Sequence, residues 1–341
     1  MHFIATILLL VFFPLNSLLM FNAGGAQGKE VDKDAQSINK LEQEKNGKND
    51  KYKEEKLDAP IAPVAEFQPV RKTGIRDLAV PGAHASLVLD VDSGTILHYD
   101  NGKERRQIAS LTKMMTAVLV MEKIKNLDEL VTIDEEPVYV EGTKIGCPRS
   151  GYCISQRLKV GEQISVRNLL KAMLMNSAND AAIALGKHIS GSQEEFAKLM
   201  NEKAKSLGLT DSNFCTPSGL EPDGRETECY SSAYDIARIA AYAMKFDLIW
   251  NIFRLPNNTE ITSADGKLTH TILNTDLVLD QIPNVIGGKT GFTPLAGYSL
   301  LMAVSDPTGK HKVVAVLLND PTRWQDIRMM LDWSFNSFTW K

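Results

Sequence analysis

A serine and a lysine three positions apart are the first side chains in this 341-residue sequence that could do chemistry together. Ser110 and Lys113 open a segment with helical apolar spacing, so we expect the hydroxyl and the amine one turn apart on one helix face. A serine hydroxyl becomes a nucleophile when a base takes its proton, and a desolvated lysine can be that base. Alone, the pair is more typical of a helix N-cap followed by a solvated lysine.

Two further triplets follow in an order that suits the same chemistry. Ser177-Ala178-Asn179 lies between two predicted helices, where a hydroxyl and an amide could face one cleft. Lys289-Thr290-Gly291 precedes a predicted strand; its lysine and threonine can bind a carboxylate, and its glycine lets a ligand approach the backbone. Each triplet alone would more often be helix capping or an ordinary turn. Together they predict one active site.

The segments around these triplets predict strands at both ends of a helical region. Apolar patterning indicates one β-hairpin over residues 84–92 and 95–99 and a second over 297–305 and 312–319. Between them, apolar residues recur at helical intervals over residues 111–124, 166–175, 180–189, 194–207 and 232–246, and a last helix over 323–338 would pack back on the sheet. The predicted fold is α+β: the two hairpins share an antiparallel sheet and enclose a helical insert.

The N-terminal part of the chain predicts export. Residues 3–21 contain no charge and precede small residues, so 1–26 is interpreted as a signal peptide or a membrane anchor, and the sequence leaves cleavage and retention open. Residues 27–78 are crowded with charges and then contain prolines, which predicts a disordered linker. The folded domain is predicted over 79–341, outside the cytoplasm, in the periplasm or the cell wall.

The four cysteines agree with an oxidising compartment. Cys147 and Cys153 enclose one short loop and Cys215 and Cys229 another, so pairing within each couple is the simplest of the three possible connectivities. Zinc is the competing interpretation, but neither spacing matches a zinc knuckle. A net charge of −4 gives no sign of a nucleic-acid partner, because phosphate binding needs an excess of lysine and arginine.

The three triplets, with the sequence around them, resemble the penicillin-binding D-alanyl-D-alanine carboxypeptidases, whose marks are SxxK, SxN and KTG. The likeness runs from about Ala79 onward and includes PGAHASLVLDVDSGTIL, NSANDAA, TPSGL and GGKTGFTPLAGYSLL. It implies a β-lactamase/transpeptidase-like fold and removal of the terminal D-alanine from peptidoglycan stem peptides. It also implies β-lactam antibiotics as covalent inhibitors and no metal or organic cofactor.

The resemblance assigns catalytic roles at four positions. Ser110 is similar to the acylated nucleophile and Lys113 to its general base. Ser177 resembles the hydroxyl that relays a proton to the leaving D-alanine. The backbone N–H groups of Ser110 and Phe292 would form the oxyanion hole.

The remaining matched positions would bind substrate. Asn179 resembles the residue that binds the peptide amide of the substrate. Lys289 and Thr290 are similar to the pair that recognises the terminal carboxylate, and Gly291 would keep the backbone beside them accessible.

Three other functions remain open. A DD-endopeptidase acting on cross-linked peptidoglycan would use the same residues. A β-lactamase of class A would need a deacylating glutamate in an ExxLN-like loop, and Glu221, the acid in the matching interval, has the wrong sequence context. A catalytically silent wall-binding module is the third alternative, and the presence of every motif residue argues against it. Asp180 is interpreted as a first-turn helix acid, and the histidines as structural.

Overall fold

The structure is a computed structural model that describes residues 66–149 and 151–341. Its strands, in chain order, are β1 Pro69–Arg71, β2 Ala85–Asp90, β3 Ile96–Asp100, β4 Leu130–Thr132, β5 Gln163–Ser165, β6 Thr259–Thr262, β7 Thr269–Ile272, β8 Val285–Thr293, β9 Gly297–Ser305, β10 Lys312–Leu318 and β11 Phe338–Trp340. Its α-helices are α1 Lys113–Lys123, α2 Glu135–Tyr139, α3 Val166–Met175, α4 Asn179–Ser190, α5 Gln193–Ser206, α6 Ala233–Ala243, α7 Asp247–Phe253 and α8 Arg323–Ser337.

A five-stranded antiparallel sheet in the order β3-β2-β10-β9-β8 organises the domain. Successive residues of β10 point to opposite faces: Val314 and Val316 join the larger apolar cluster with the helical region, and Val313 and Ala315 join a smaller cluster with α8. Helix α6 packs on one face against β2 and β10, and α8 packs on the other against β9 and β10. The sheet is therefore the middle layer of three.

The register of the edge strand β8 decides which face the Lys289 side chain takes. Lys289 lies opposite Leu301 of β9, and directly opposed residues in an antiparallel pair share a face. Leu301 belongs to the larger cluster, on the side of the helical region. Lys289 is therefore directed toward the helices that carry the other two motifs.

Both predicted hairpins, all six predicted helices and the α+β class are confirmed, with small differences at the ends of elements. The helix predicted from residue 111 begins as a 3₁₀ turn over Ala109–Thr112, and the α-helix starts at Lys113. Both predicted disulfides, Cys147–Cys153 and Cys215–Cys229, are present.

The predicted start of the folded domain at residue 79 is too late. Strand β1 lies inside the predicted linker and pairs with β11 at the other end of the chain, in the register Val70 opposite Thr339. The guanidinium of Arg71 lies over the ring of Trp333 on α8, which adds a contact between β1 and that helix. A strand of three residues whose partner is so distant in sequence leaves no local pattern that composition could reveal.

The predicted signal or anchor over residues 1–26, and the linker up to residue 65, lie outside the described residues. Within residues 66–149 and 151–341, no helix combines the length and the apolar character needed to cross a bilayer.

Candidate active site

The three motifs meet between the edge strand β8 and the helices α1 and α4. The 3₁₀ turn before α1 carries Ser110, and its hydroxyl oxygen lies 2.8 Å from Lys113 Nζ. Ser177 and Asn179 lie at the junction of α3 and α4, and Lys289 lies on β8. The sequence-predicted residues therefore form one constellation.

The amine of Lys113 is fully buried and has three hydrogen-bond partners. Besides Ser110 Oγ, it lies 2.8 Å from Asn179 Oδ1 and 2.6 Å from the carbonyl oxygen of Ser218. The amide oxygen and the peptide carbonyl can only accept hydrogen bonds. A neutral amine would donate its two protons to them, and its lone pair would then face the hydroxyl of Ser110.

The protonation state of Lys113 follows from its surroundings. Burial disfavours the ammonium form and lowers the pKa of Lys113 well below 10.5, and the positive charge of Lys289 lowers it further. The Asp180 carboxylate acts in the opposite direction and is the smallest of these influences. The site therefore favours the neutral amine that a general base requires.

Ser177 connects the second motif to the third. Its hydroxyl accepts a hydrogen bond of 2.8 Å from Lys289 Nζ, and its carbonyl accepts one of 2.7 Å from Thr143 Oγ1. Its φ of 56° lies in the left-handed region, which is unfavourable for a residue with a side chain. Backbone strain of this kind is held in place by surrounding contacts and is common at active sites.

Asn179 positions the amine of Lys113. Its Oδ1 accepts from Lys113, and its Nδ2 donates to the carbonyl oxygen of Glu141 at 2.9 Å. The side chain is buried, and both ends of its amide are bonded to the protein. The contact between Asn179 and the peptide amide of the substrate stays a prediction. Oδ1 has a second lone pair that could accept a hydrogen bond from that amide.

Lys289 combines burial with a neighbouring cation. Its amine donates to Ser177 Oγ and to the carbonyl oxygen of Thr290 at 2.9 Å. The pKa of Lys289 is lowered to about 7. Burial is the main cause, the positive charge of Arg323 lowers the pKa further, and the negative charge of Asp276 acts in the opposite direction. Arg323 is itself held by the carbonyl oxygens of Gly291 and Ser299, at 3.0 and 3.1 Å. Two positive groups therefore flank the end of β8, where a carboxylate would be attracted.

The rest of the third motif lies against the nucleophile turn. Thr290 Oγ1 lies 2.6 Å from Thr275 Oγ1. A side chain at Gly291 would come within 2.9 Å of the carbonyl oxygen of Ile108, so glycine permits this close approach. Phe292 follows with its ring half exposed and stacked on Tyr298 at 4.6 Å. The predicted oxyanion hole stays a prediction.

Several residues of the site were missed in the sequence analysis. They contribute a backbone carbonyl, a side-chain hydroxyl, the absence of a side chain or a distant charge: Glu141, Thr143, Ser218, Gly219 and Arg323. The TPSGL segment was noted as part of the resemblance, but a carbonyl oxygen has no side-chain signature. Only the position of Gly219 in a polar segment between helices could have suggested a close approach.

Asp180 and Glu221, the two acids considered in the sequence analysis, form no hydrogen bond with Ser110 or Lys113 among the described residues. Asp180 is buried at the start of α4 and accepts from the N–H groups of Ile145 and Ala181, as expected for a first-turn acid. Burial raises its pKa to about 7. Glu221 accepts a hydrogen bond of 2.8 Å from Thr293 Oγ1.

The close approach of Gly219 to the nucleophile turn can be tested by substitution, with Gly224 as a matched control. Its φ is +81°, and an added Cβ would lie 2.1 Å from the carbonyl oxygen of Ala109, next to Ser110. Gly224 has a similar φ of +75° and no atom within 4 Å of the added Cβ. Gly224→Ala should cost about 1 kcal/mol of unfolding free energy, and Gly219→Ala on the order of 3 kcal/mol.

Gly219→Ala should also slow the reaction of Ser110 with an acylating reagent about tenfold, because a small misplacement of a reacting group is costly. Urea unfolding and acylation kinetics measure the two effects. Equal behaviour of the two variants in both assays would contradict the proposed contact between Gly219 and the nucleophile turn.

Comparison with known proteins agrees with this geometry. The family model described as D-alanyl-D-alanine carboxypeptidase, peptidase S11, matches residues 77–322. The chain is 34% identical over 264 residues to D-alanyl-D-alanine carboxypeptidase DacF of Bacillus subtilis, covering 75% of this chain and 63% of that relative. It is 30% identical to DacB2 of Mycobacterium tuberculosis, covering 80% of this chain and 87% of that relative.

Solved structures show the same fold. Penicillin-binding protein D2 of Listeria monocytogenes, in its ampicillin-bound form, superposes with a TM-score of 0.63 at 28% identity, covering 76% of this chain and all of that one. A D-alanyl-D-alanine carboxypeptidase of Mycobacterium tuberculosis gives 0.67 at 28% identity, covering 78% and 96%. The fold is thus the transpeptidase-like fold predicted from the sequence, and the chain belongs to the D-alanyl-D-alanine carboxypeptidase family of serine peptidases.

Proposed function

We propose that this protein is a serine D-alanyl-D-alanine carboxypeptidase that removes the terminal D-alanine from peptidoglycan stem peptides through an acyl-enzyme on Ser110. One observation carries the proposal: the buried amine of Lys113 lies 2.8 Å from Ser110 Oγ and has two pure acceptors as its other partners. Membership of the family supports the substrate class. The chain spans 63% of the length of its relative DacF, so the activity is proposed from the site.

Acylation begins when Lys113 takes the proton of the Ser110 hydroxyl. The oxygen attacks the carbonyl carbon of the penultimate D-alanine, and the backbone N–H groups of Ser110 and Phe292 stabilise the oxyanion. The C–N bond then breaks. The hydroxyl of Ser177 donates a proton to the leaving amine and receives in return the proton that Lys113 took from Ser110, so Lys113 is neutral again. Lys289 stays protonated and holds the Ser177 hydroxyl in place by its hydrogen bond.

Deacylation uses water and the same base. Lys113 removes a proton from a water molecule that attacks the Ser110 ester, and the proton returns to the serine oxygen. The shortened peptide leaves as a carboxylate. Lys289 and Thr290 hold the terminal carboxylate of the substrate, and Arg323 adds to the positive field around it.

A β-lactam presents a carbonyl and a carboxylate to the same groups, so β-lactam antibiotics are proposed as covalent inhibitors. The ampicillin-bound and cefotaxime-bound forms of the Listeria protein D2 support this for a relative. Two disulfides support an oxidising compartment, and the uncharged run over residues 3–21 supports export and a possible association with the membrane. We therefore propose an extracytoplasmic location.

The alternatives lack a favouring observation. A class A β-lactamase needs a carboxylate that activates the deacylating water, and Glu221 is instead bonded to Thr293. A silent wall-binding module would not require a desolvated lysine beside a serine hydroxyl. An endopeptidase would use the same groups on a branched substrate.

Mass spectrometry tests the acyl-enzyme. Incubation with penicillin should add one penicillin mass to a peptide containing Ser110, and the protein should release D-alanine from a D-alanyl-D-alanine peptide. Ser110→Ala should abolish both, whereas Ser206→Ala, a serine at the end of α5, should retain both. An adduct that persists in Ser110→Ala would place the nucleophile elsewhere.

The pH profile tests Lys289. Carboxylate binding needs its protonated form, and its pKa is about 7 in the free protein, so kcat/KM should fall as pH rises above about 7, approaching tenfold per unit. Arginine stays charged at these pH values. Lys289→Arg should therefore lose this alkaline limb, even if its maximum is lower. An identical alkaline limb in both proteins would show that Lys289 does not control it.

A further inference from the structure

Thr275 contacts the third motif but takes no part in the proposed catalytic steps. It lies in the segment that leads from β7 to β8, and its hydroxyl oxygen is 2.6 Å from that of Thr290. The backbone N–H of Thr275 donates to the carbonyl oxygen of Met175, at the end of α3, at 3.1 Å. Ser177 of the second motif follows shortly after Met175. Thr275 therefore connects the second motif to the third.

Lys289 and Thr290 are supported from different sides of the sheet. Successive residues of a strand point to opposite faces, and Thr290 lies opposite Leu300, which belongs to the smaller apolar cluster with α8. The contact between Lys289 and Ser177 therefore does not orient the Thr290 hydroxyl. Among the described residues, that hydroxyl has Thr275 as its hydrogen-bond partner and no other. The orientation of Thr290 thus depends on Thr275.

The segment that carries Thr275 is held in place by the residues on either side of it. Asn274 Nδ2 donates to the carbonyl oxygen of Phe253 at 2.7 Å, and the backbone N–H of Asn274 donates to Asn257 Oδ1 at 2.8 Å. The backbone N–H of Asp276 donates to Asn274 Oδ1 at 2.9 Å. Because this backbone is fixed before any ligand binds, Thr275 can hold a second hydroxyl in one place at a low entropic cost.

The direction of the hydrogen bond between the two hydroxyls decides what Thr290 can offer a ligand. Each hydroxyl has one proton to donate, and either oxygen can be the donor in this pair. A carboxylate can only accept hydrogen bonds. If Thr290 donated to Thr275, it would turn a lone pair toward a carboxylate. If Thr275 donates to Thr290, the proton of Thr290 remains for the ligand, so a bound carboxylate selects donation from Thr275.

We propose that Thr275 is a positioning residue for the terminal carboxylate of the substrate: it donates a hydrogen bond to Thr290 and so directs the Thr290 proton at that carboxylate. The proposal rests on the proposed function, which places the carboxylate at Lys289 and Thr290. It makes Thr275 a determinant of the preference for a free carboxylate over an uncharged C-terminus. A carboxamide has both a donor and an acceptor, so it can pair with Thr290 in either direction and gains less from Thr275.

Two peptides that differ only at the C-terminus test this role: Nα-acetyl-Lys-D-Ala-D-Ala and its C-terminal amide. Thr275→Val keeps the shape of the side chain and removes the hydroxyl. It should lower kcat/KM for the acid about tenfold, mainly through KM, and kcat/KM for the amide by less than about twofold. Thr275→Ser keeps the hydroxyl and should retain most of the preference for the acid. Thr259→Val, which removes a hydroxyl that donates to the carbonyl oxygen of Pro256 at 2.6 Å outside the site, should cleave both peptides like the native protein.

An equal loss for both peptides in Thr275→Val would mean that Thr275 only packs in the site, and no loss for either would mean that it has no role. Both results would overturn the proposal. If the native protein cleaves neither peptide, the proposed function fails, and binding of the two peptides to Ser110→Ala by calorimetry then decides the role of Thr275 separately. A preference for the acid that falls about tenfold on adding Thr275→Val would support the role. An unchanged preference, or no binding of either peptide, would reject it.

Discussion

The buried amine of Lys113 is the interaction on which the rest of this site depends. A buried ammonium group needs strong compensation, and here the partners are a hydroxyl, an amide oxygen and a peptide carbonyl. None of these partners carries a charge. The neutral form of Lys113 is therefore favoured over the ammonium form. A neutral amine beside Ser110 is the base that the reaction needs. Burial and catalysis are thus one constraint.

This constraint explains why distant parts of the chain must meet closely. The Ser218 carbonyl reaches Lys113 because Gly219 leaves no side chain against Ala109, and β8 reaches the same turn because Gly291 leaves none against Ile108. The turn and the second motif also contain residues at positive φ, Ala109 and Ser177. The three-layer packing of the domain holds these strained segments in place.

The sequence could reveal what is local. Helix and strand patterns repeat over short windows and each disulfide encloses a short loop, and the predictions of these elements and of the two disulfides are confirmed. The motifs also lie in short windows, and the structure brings their side chains together. Other features depend on distant contacts. The strand β1 pairs with β11, the carbonyl of Ser218 is a backbone group, and Arg323 acts from a helix near the end of the chain. No local window holds that information.

The pKa of Lys113, measured by NMR of the protein carrying 13Cε-labelled lysine, tests the central claim most directly. The Lys113→Ala variant assigns the signal. The account predicts that Lys113 titrates well below the ordinary value of 10.5 for a lysine, so that neutral amine is present beside Ser110 at the working pH. A titration at or above that ordinary value would contradict the account, because the amine would then be a cation that cannot take the serine proton.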